Sequence, residues 1–123
     1  MAKLPVFMAG NVYLGRAEPS KHEKNPLIQP NVEPGFKLIE KSDGWYLQME
    51  FNKKWAECNH PLVTTEMLGK AKIPDLPYEQ PDGSPYRIDT DYFGNKRNTN
   101  NPYPGPFDKP KEEKQLIKVW PKK

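Results

Sequence analysis

One segment of the chain alternates strictly between large apolar side chains and more polar ones. From residue 45 to residue 51 every second residue is large and apolar, and a period of two is typical of a strand with one buried face. Asp43-Gly44 lies between this segment and residues 36–41, and such a pair favours a two-residue hairpin turn because it tolerates positive φ. The pattern therefore predicts a hairpin over residues 36–51, at the centre of the fold.

The turn also predicts how the two strands pair. If Ser42 lies opposite Trp45, two apolar pairs share the buried face, namely Leu38 with Met49 and Phe36 with Phe51. An isolated two-stranded hairpin is marginally stable in water, so we expect its apolar face to pack on the flanking segments.

The other predicted elements are short. Asn52 can cap one or two helical turns with Trp55 turned inward. Residues 62–65 predict a short strand that runs into residues 66–68, where Thr64, Thr65 and Glu66 could cap a short helix that Gly69 ends. Residues 108–123 are expected to hold a closing strand from Leu116 to Trp120, with these two residues on one of its faces, and a charged tail. No internal repeat is evident.

Composition limits the fold class. The chain has 123 residues, 35% of them hydrophobic and 15 of them proline, and its mean hydropathy is −0.94. Each proline removes a hydrogen bond from a helix or a sheet, and this length suits one domain. We expect residues 1–123 to form a single small all-β domain of short strands, sandwich-like or capping a β-helix, with long proline-rich loops.

Charge and cysteine content narrow the function classes. The net charge is +3, and the basic residues fall in several short clusters along the chain, so we expect no nucleic-acid partner. No apolar run approaches the roughly 20 residues that span a bilayer, so we expect no membrane partner. The single cysteine, Cys58, cannot form an internal disulfide.

Residues 76–97 contain the densest concentration of turn-forming, acidic and aromatic residues. Pro81-Asp82-Gly83 predicts a tight turn because proline restricts φ and glycine accepts φ > 0, and a second turn is predicted at residues 92–95. Between these turns, charged side chains alternate with uncharged ones along residues 86–91, which predicts a short strand with an acidic face. We expect the segment to be anchored mainly by burial of its aromatic side chains Tyr86, Tyr92 and Phe93.

Asp89 and Asp91 are the first candidates for chemistry. Two residues apart on a strand, they would share a face with Cα atoms about 6–7 Å apart. That spacing suits a local ion pair with Arg87 or Arg97, a calcium site, or a glycosidase carboxylate pair. Glu66 is the third candidate, either as an acid-base group or as part of a helix cap. We assign no metal ligands and expect no cofactor, with calcium as the alternative.

Aromatic side chains provide flat apolar surfaces on which sugar rings stack. Five of them lie near Asn, Asp or Arg in the sequence, and each is a candidate either for carbohydrate contact or for the core. They are Trp55, Tyr78, Tyr86, Tyr92 and Tyr103.

Asp91, Gly94 and Arg97 form an Asp-x-x-Gly-x-x-Arg segment, and Gly105-Pro106-Phe107 follows it. With the residues from Leu62 onward, these motifs resemble the C-terminal end of right-handed parallel β-helix glycoside hydrolases of gut bacteria, most nearly the β-xylosidases of glycoside hydrolase family 120. Residues 10–14 resemble a last β-helix rung, within residues 1–15. The resemblance implies the tail of a longer hydrolase whose catalytic carboxylates lie on earlier rungs.

Two functions follow from these observations. The first is a non-catalytic C-terminal or accessory domain of a carbohydrate-active enzyme, which stabilises the enzyme through its upstream domain or contacts a plant-type polysaccharide or oligosaccharide. Such an enzyme would be secreted or periplasmic if an upstream signal directs it there. The alternative is a small glycoside hydrolase of xylosidase or arabinosidase type, which would use Glu66 with Asp89 or Asp91.

Overall fold

The computed structural model describes residues 6–58, 60–108, 110–111 and 113–122. The predicted class, a small all-β domain of short strands, is confirmed. Within the described ranges no helix is long and apolar enough to cross a membrane. The elements in chain order are β1 (Met8–Ala9), β2 (Val12–Leu14), β3 (Glu23–Lys24), β4 (Leu27–Gln29), β5 (Lys37–Lys41), β6 (Gly44–Phe51), a 3-10 helix (Lys53–Glu57), α1 (Thr65–Leu68) and β7 (Glu113–Trp120).

Strands β5, β6 and β7 form an antiparallel sheet with β6 at its centre. The predicted hairpin forms, but its predicted register is wrong by two residues, since Lys41 pairs with Gly44 and Leu38 with Leu47. Gly44 belongs to the strand because β7 passes close to it, and a Cβ atom there would lie 2.1 Å from the carbonyl oxygen of Trp120. A shift of two residues keeps each side chain on its predicted face.

The buried part of this sheet is smaller than predicted. Phe36 and Leu38 are 62% and 63% exposed, so their predicted burial is wrong. They belong to the edge of the sheet, whereas Met49 and Phe51 lie at the end of β6 that packs on the rest of the chain. Three further aromatic residues complete the buried cluster, namely Trp55, Tyr103 and Phe107.

Strand β7 confirms the predicted closing strand and begins earlier than expected. Ile117 packs on the core, whereas Leu116 lies opposite Gln48 on the other face. A bulge then brings Trp120 opposite Trp45, which places Trp120 and Leu116 on opposite faces because a bulge adds one residue to the alternation. Their predicted common face is therefore wrong. Positions 109, 112 and 123 of the predicted charged tail lie outside the described residues.

The first four strands pair in parallel at a constant spacing. β1 pairs with β3 and β2 with β4, and each pairing joins residues 15 positions apart, such as Val12 with Leu27. Gly10 and Asn25, also 15 apart, both have left-handed backbone, with φ of 66° and 53°. The structure therefore contains a 15-residue repeat that the sequence analysis did not find.

The segment at 86–91 was predicted to be a strand, and that prediction is wrong. Its residues make only single bridges, such as Thr90 with Lys96. The bridges at Pro77 and Pro85 cannot extend into a ladder because proline has no backbone N–H to donate. The two predicted turns that flank the segment are confirmed by N–H donation from Gly83 to Gln80 O (2.9 Å) and from Gly94 to Asp91 O (3.0 Å).

The predicted caps at Asn52 and Thr64 are confirmed, but the strand predicted at residues 62–65 is wrong, since only Thr64 among them makes a bridge, with Arg87. The Asn52 side chain accepts a hydrogen bond from the N–H of Lys54 at 2.9 Å, and Thr64 accepts one from Met67 at 3.2 Å. Gly69 ends α1 with φ of 70°, a conformation that glycine adopts at low cost.

Substitution of two phenylalanines tests where the core lies. Phe51→Ala should lower the free energy of unfolding by about 3–5 kcal/mol, because it removes a buried ring and leaves a cavity. Phe36→Ala, which removes an equal ring that is 62% exposed, should change it by less than about 1 kcal/mol. Urea unfolding followed by circular dichroism measures both values, and equal losses would contradict this assignment of the core.

Candidate functional site

An apolar cleft of about 470 Å³ opens between the parallel strands and the three-stranded sheet. β2 forms one wall, the second half of β6 with Trp55 forms another, and residues 104–107 close the third side. Apolar cavities of this size are the usual binding sites of proteins, for ligands or for side chains of a partner.

His60 is the one titratable side chain that lines this cleft among the described residues. Its Nδ1 lies 3.2 Å from the carbonyl oxygen of Pro61, while its buried Nε2 has no hydrogen-bond partner among the described residues. The ring packs directly on Gly10, where a Cβ atom would lie 2.4 Å from His60 Cβ. Only glycine fits at this approach, which ties β1 and β2 to the segment after the 3-10 helix.

Cys58 belongs to the same contact. Its buried thiol donates to the carbonyl oxygen of Gly10 at 3.2 Å. Burial, followed by the negative charge of Glu23, raises the pKa of this thiol, so it remains protonated and serves as a packing group.

Asp91 organises the loop that follows it. Its two carboxylate oxygens accept hydrogen bonds from the N–H groups of Phe93, Asn95 and Asp108 and from the side chain of Asn95, at 2.8–3.1 Å. Partial burial disfavours the charged carboxylate and acts to raise the pKa of Asp91. The hydrogen bonds from these donors together outweigh the effect of burial, so the pKa of Asp91 is lowered. Because N–H donors surround both oxygens, the carboxylate is held as a hydrogen-bond acceptor.

Arg97 complements Asp91 by donating hydrogen bonds to carbonyl groups. Its guanidinium donates to the carbonyl oxygens of Thr90 (3.1 Å), Tyr103 (2.9 Å) and Gly105. Of the two arginines proposed to pair with a carboxylate, Arg97 makes no ion pair with a described residue. We call Asp91 and Arg97 of the Asp-x-x-Gly-x-x-Arg motif the loop clamp. Asp91 accepts hydrogen bonds from N–H groups of the loop, and Arg97 donates hydrogen bonds to its C=O groups.

Asp89 makes the predicted ion pair with Arg87 at 3.6 Å and a closer one with Lys96 at 2.8 Å. The hydrogen bond from Lys96 is the main cause that lowers the pKa of Asp89. Asp89 and Asp91 thus have separate partners, and the acidic face predicted for them does not form.

Glu66 lies in the first turn of α1 and lines a cavity of about 340 Å³ with Thr64 and Arg87. Asp91 lines a different cavity beside Phe107. The structure therefore does not bring Glu66 and Asp91 into one cavity, and catalysis by Glu66 stays a prediction. The described residues contain no group of three His, Cys, Asp or Glu side chains that could hold a metal ion, and calcium binding likewise stays a prediction.

The five aromatic candidates fall into different environments. Trp55 and Tyr103 are core residues, 5% and 8% exposed, although Trp55 also lines the apolar cleft. Tyr92 is half-buried and donates to the carbonyl oxygen of Val119 at 2.6 Å, and Tyr86 is also half-buried. Tyr78 is 45% exposed. Sugar contact by any of them stays a prediction.

Sequence reasoning passed over His60 and the exposed pair Trp45 and Trp120. The place of His60 in the cleft depends on Gly10, 50 positions earlier, so no local pattern predicts it. Trp120 could have been found from its position near the end of an alternating segment, since strand ends are less covered by neighbours.

Comparison with known proteins gives one informative match. A solved structure of XylC in complex with xylose is 32% identical in sequence and superposes with a TM-score of 0.82, over 94% of this chain and 18% of the XylC chain. No protein-family model matches this sequence. No curated protein matches it either. The chain therefore shares its fold with a small part of a larger protein.

Asp91→Asn tests the loop clamp. The amide cannot accept hydrogen bonds on both sides, so the variant should lose about 1.5–3 kcal/mol of unfolding free energy at pH 7. Asp82→Asn is the matched control, because Asp82 also accepts N–H and O–H groups in a turn but is exposed. It should cost clearly less than Asp91→Asn in urea unfolding, because an exposed carboxylate exchanges its partners with water.

The pH dependence of the same variant gives a second check. A carboxyl whose pKa is lowered on folding stabilises the protein above its unfolded value of about 3.9 and loses this effect as pH falls through the folded value. The stability gap between wild type and Asp91→Asn should thus be complete at pH 6 and shrink below about pH 4. Phe93 is 42% exposed, so Phe93→Ala should cost less than Asp91→Asn. The expectation from the sequence, that aromatic burial anchors this loop, predicts the reverse order and stays a prediction until both variants are measured.

Proposed function

We propose that this chain is a non-catalytic accessory domain at the C-terminal end of a carbohydrate-active enzyme, a β-xylosidase of the family 120 type. The observation that carries the proposal is the match with XylC, which spans nearly all of this chain and under a fifth of XylC. Xylose is the sugar that a β-xylosidase releases, and the motifs that resemble family 120 lie inside the matched chain. A secreted or periplasmic location and a plant-type polysaccharide substrate belong to the same proposal.

The carboxylates support an accessory role. Glycosidases need two carboxyl groups about 5–9.5 Å apart across one bond, with one of them free to accept and release a proton. Asp91 is held by four N–H donors, and Asp89 is paired with Lys96. Glu66 lines its cavity beside Arg87 without a second carboxylate among the described lining residues.

The parallel strands support attachment to a larger enzyme. Two-stranded sheets are marginal alone, and parallel sheets are normally buried in larger assemblies. β1 to β4 form two such pairs with a 15-residue spacing, the arrangement expected of stacked β-helix coils. Val6 and Phe7, which precede β1, are 59% and 50% exposed. In this proposal a further coil of the parent enzyme pairs with the free edge of these strands and covers both side chains.

Hydrolysis of an aryl β-xyloside by the isolated 123-residue chain tests the proposal. We expect no release of the aryl group above the buffer rate, for the wild type and for Glu66→Gln alike. Circular dichroism confirms that both samples are folded. Turnover by the wild type that Glu66→Gln abolishes would overturn the proposal in favour of a small glycosidase.

A further inference from the structure

Two tryptophans occupy paired positions at the solvent-exposed end of the three-stranded sheet. Trp45 on β6 lies directly opposite Trp120 on β7, and directly opposite residues share a face with Cβ atoms about 4.5–5.5 Å apart. Trp120 is 64% exposed and Trp45 is 36% exposed. Trp45 shares its face of β6 with Leu47, which lines the apolar cleft, but neither tryptophan lines the cleft itself. The pair therefore extends this face beyond the cleft.

Glu40 completes this surface on the other side of Trp45. It is the partner of Trp45 on β5 and therefore shares its face. Glu40 is exposed, and its carboxylate makes no hydrogen bond or ion pair with any described residue. The surface thus presents two indole rings beside one free hydrogen-bond acceptor, across three strands about 4.8 Å apart.

The chemistry of this surface decides among possible occupants. A purely apolar partner would strip water from the Glu40 carboxylate without replacing its hydrogen bonds, which is costly. Edge pairing with a second copy is opposed by the charged residues of β5, Lys37, Glu40 and Lys41. A sugar ring meets both requirements, because its C–H faces pack on indole while its rim hydroxyls donate to a carboxylate.

We propose that Trp45, Trp120 and Glu40 form a surface site that binds a neutral β-linked pentose polysaccharide. The choice of a pentose polymer rests on the proposed function above. The surface is the uncovered end of a sheet face whose other end packs on the core, and a long polymer can cross this end without entering a cavity. The site would hold the polysaccharide near the enzyme and take no part in bond cleavage.

Affinity electrophoresis of the 123-residue chain through a gel that contains soluble neutral arabinoxylan tests the site. The wild type should be retarded relative to a gel without polysaccharide. Trp120→Ala should weaken the apparent affinity about tenfold or more, the loss of about 1.4 kcal/mol or more. Trp120→Phe should retain most of the binding, and Glu40→Gln should retain part of it, because an amide oxygen still accepts a hydroxyl.

Two control variants locate the effect. Leu116→Ala removes a side chain that is 42% exposed on the opposite face of β7 and should leave the retardation unchanged. Tyr78→Ala removes another exposed aromatic side chain and should also leave it unchanged. Circular dichroism of each variant shows whether it is folded, and Trp120→Phe keeps the test valid if Trp120→Ala unfolds.

Three results would overturn the proposal. They are no retardation of the wild type, retardation that survives in folded Trp120→Ala, and loss of retardation in Tyr78→Ala alone. In the second case, a change in the sedimentation behaviour of Trp120→Ala would identify the surface as a protein interface. If the chain neither binds arabinoxylan nor hydrolyses aryl xylosides, the proposed site is wrong, whereas the accessory-domain proposal is unaffected.

Discussion

The fold depends on the ring of Phe51, which joins two parts of the chain, residues 51–55 and 103–107, that are distant in sequence. Its centroid lies 6.2 Å from that of Trp55, 6.4 Å from Tyr103 and 6.1 Å from Phe107. Edge-to-face and tilted arrangements of this kind add to the free energy gained by burial. Because only 35% of the residues are hydrophobic, this cluster has to hold the sheet, the 3-10 helix and the long loop together.

In the long loop, hydrogen bonds of the loop clamp stabilise the backbone where few aliphatic side chains are present to pack. Asp91 and Arg97 satisfy backbone N–H and C=O groups that a proline-rich segment cannot pair in a ladder. The clamp also positions two core residues. Arg97 donates a hydrogen bond to the carbonyl oxygen of Tyr103, and Asp91 accepts one from the N–H of Asp108, which follows Phe107. The aromatic cluster and the clamp are therefore one cooperative unit, and weakening either should loosen the other.

Local chemistry explains what could be predicted from the sequence. Alternation in β6, the caps at Asn52 and Thr64, and the turns at Gly83 and Gly94 each depend on a few neighbouring residues, and all of them are confirmed. The hairpin register depends on how closely β7 approaches Gly44, and the parallel pairing depends on residues 15 positions apart. Neither is visible in a local pattern. The candidate site shows the same limit, because the partners of Asp91 include an N–H group 17 positions away.

The distribution of apolar side chains bears on how the domain works. Among the described residues, thirteen large hydrophobic side chains are exposed and seven hydrophobic residues are buried. Scattered exposure is normal, but large apolar areas on one face mark interaction surfaces. The exposed residues fall into separate regions, with Val6 and Phe7 beside the parallel strands and Trp45 and Trp120 at the far end of the sheet. Because these regions share no residues, the proposed attachment to a parent enzyme and the proposed binding of a polymer use different surfaces. A substitution in one region should therefore leave the proposed role of the other intact.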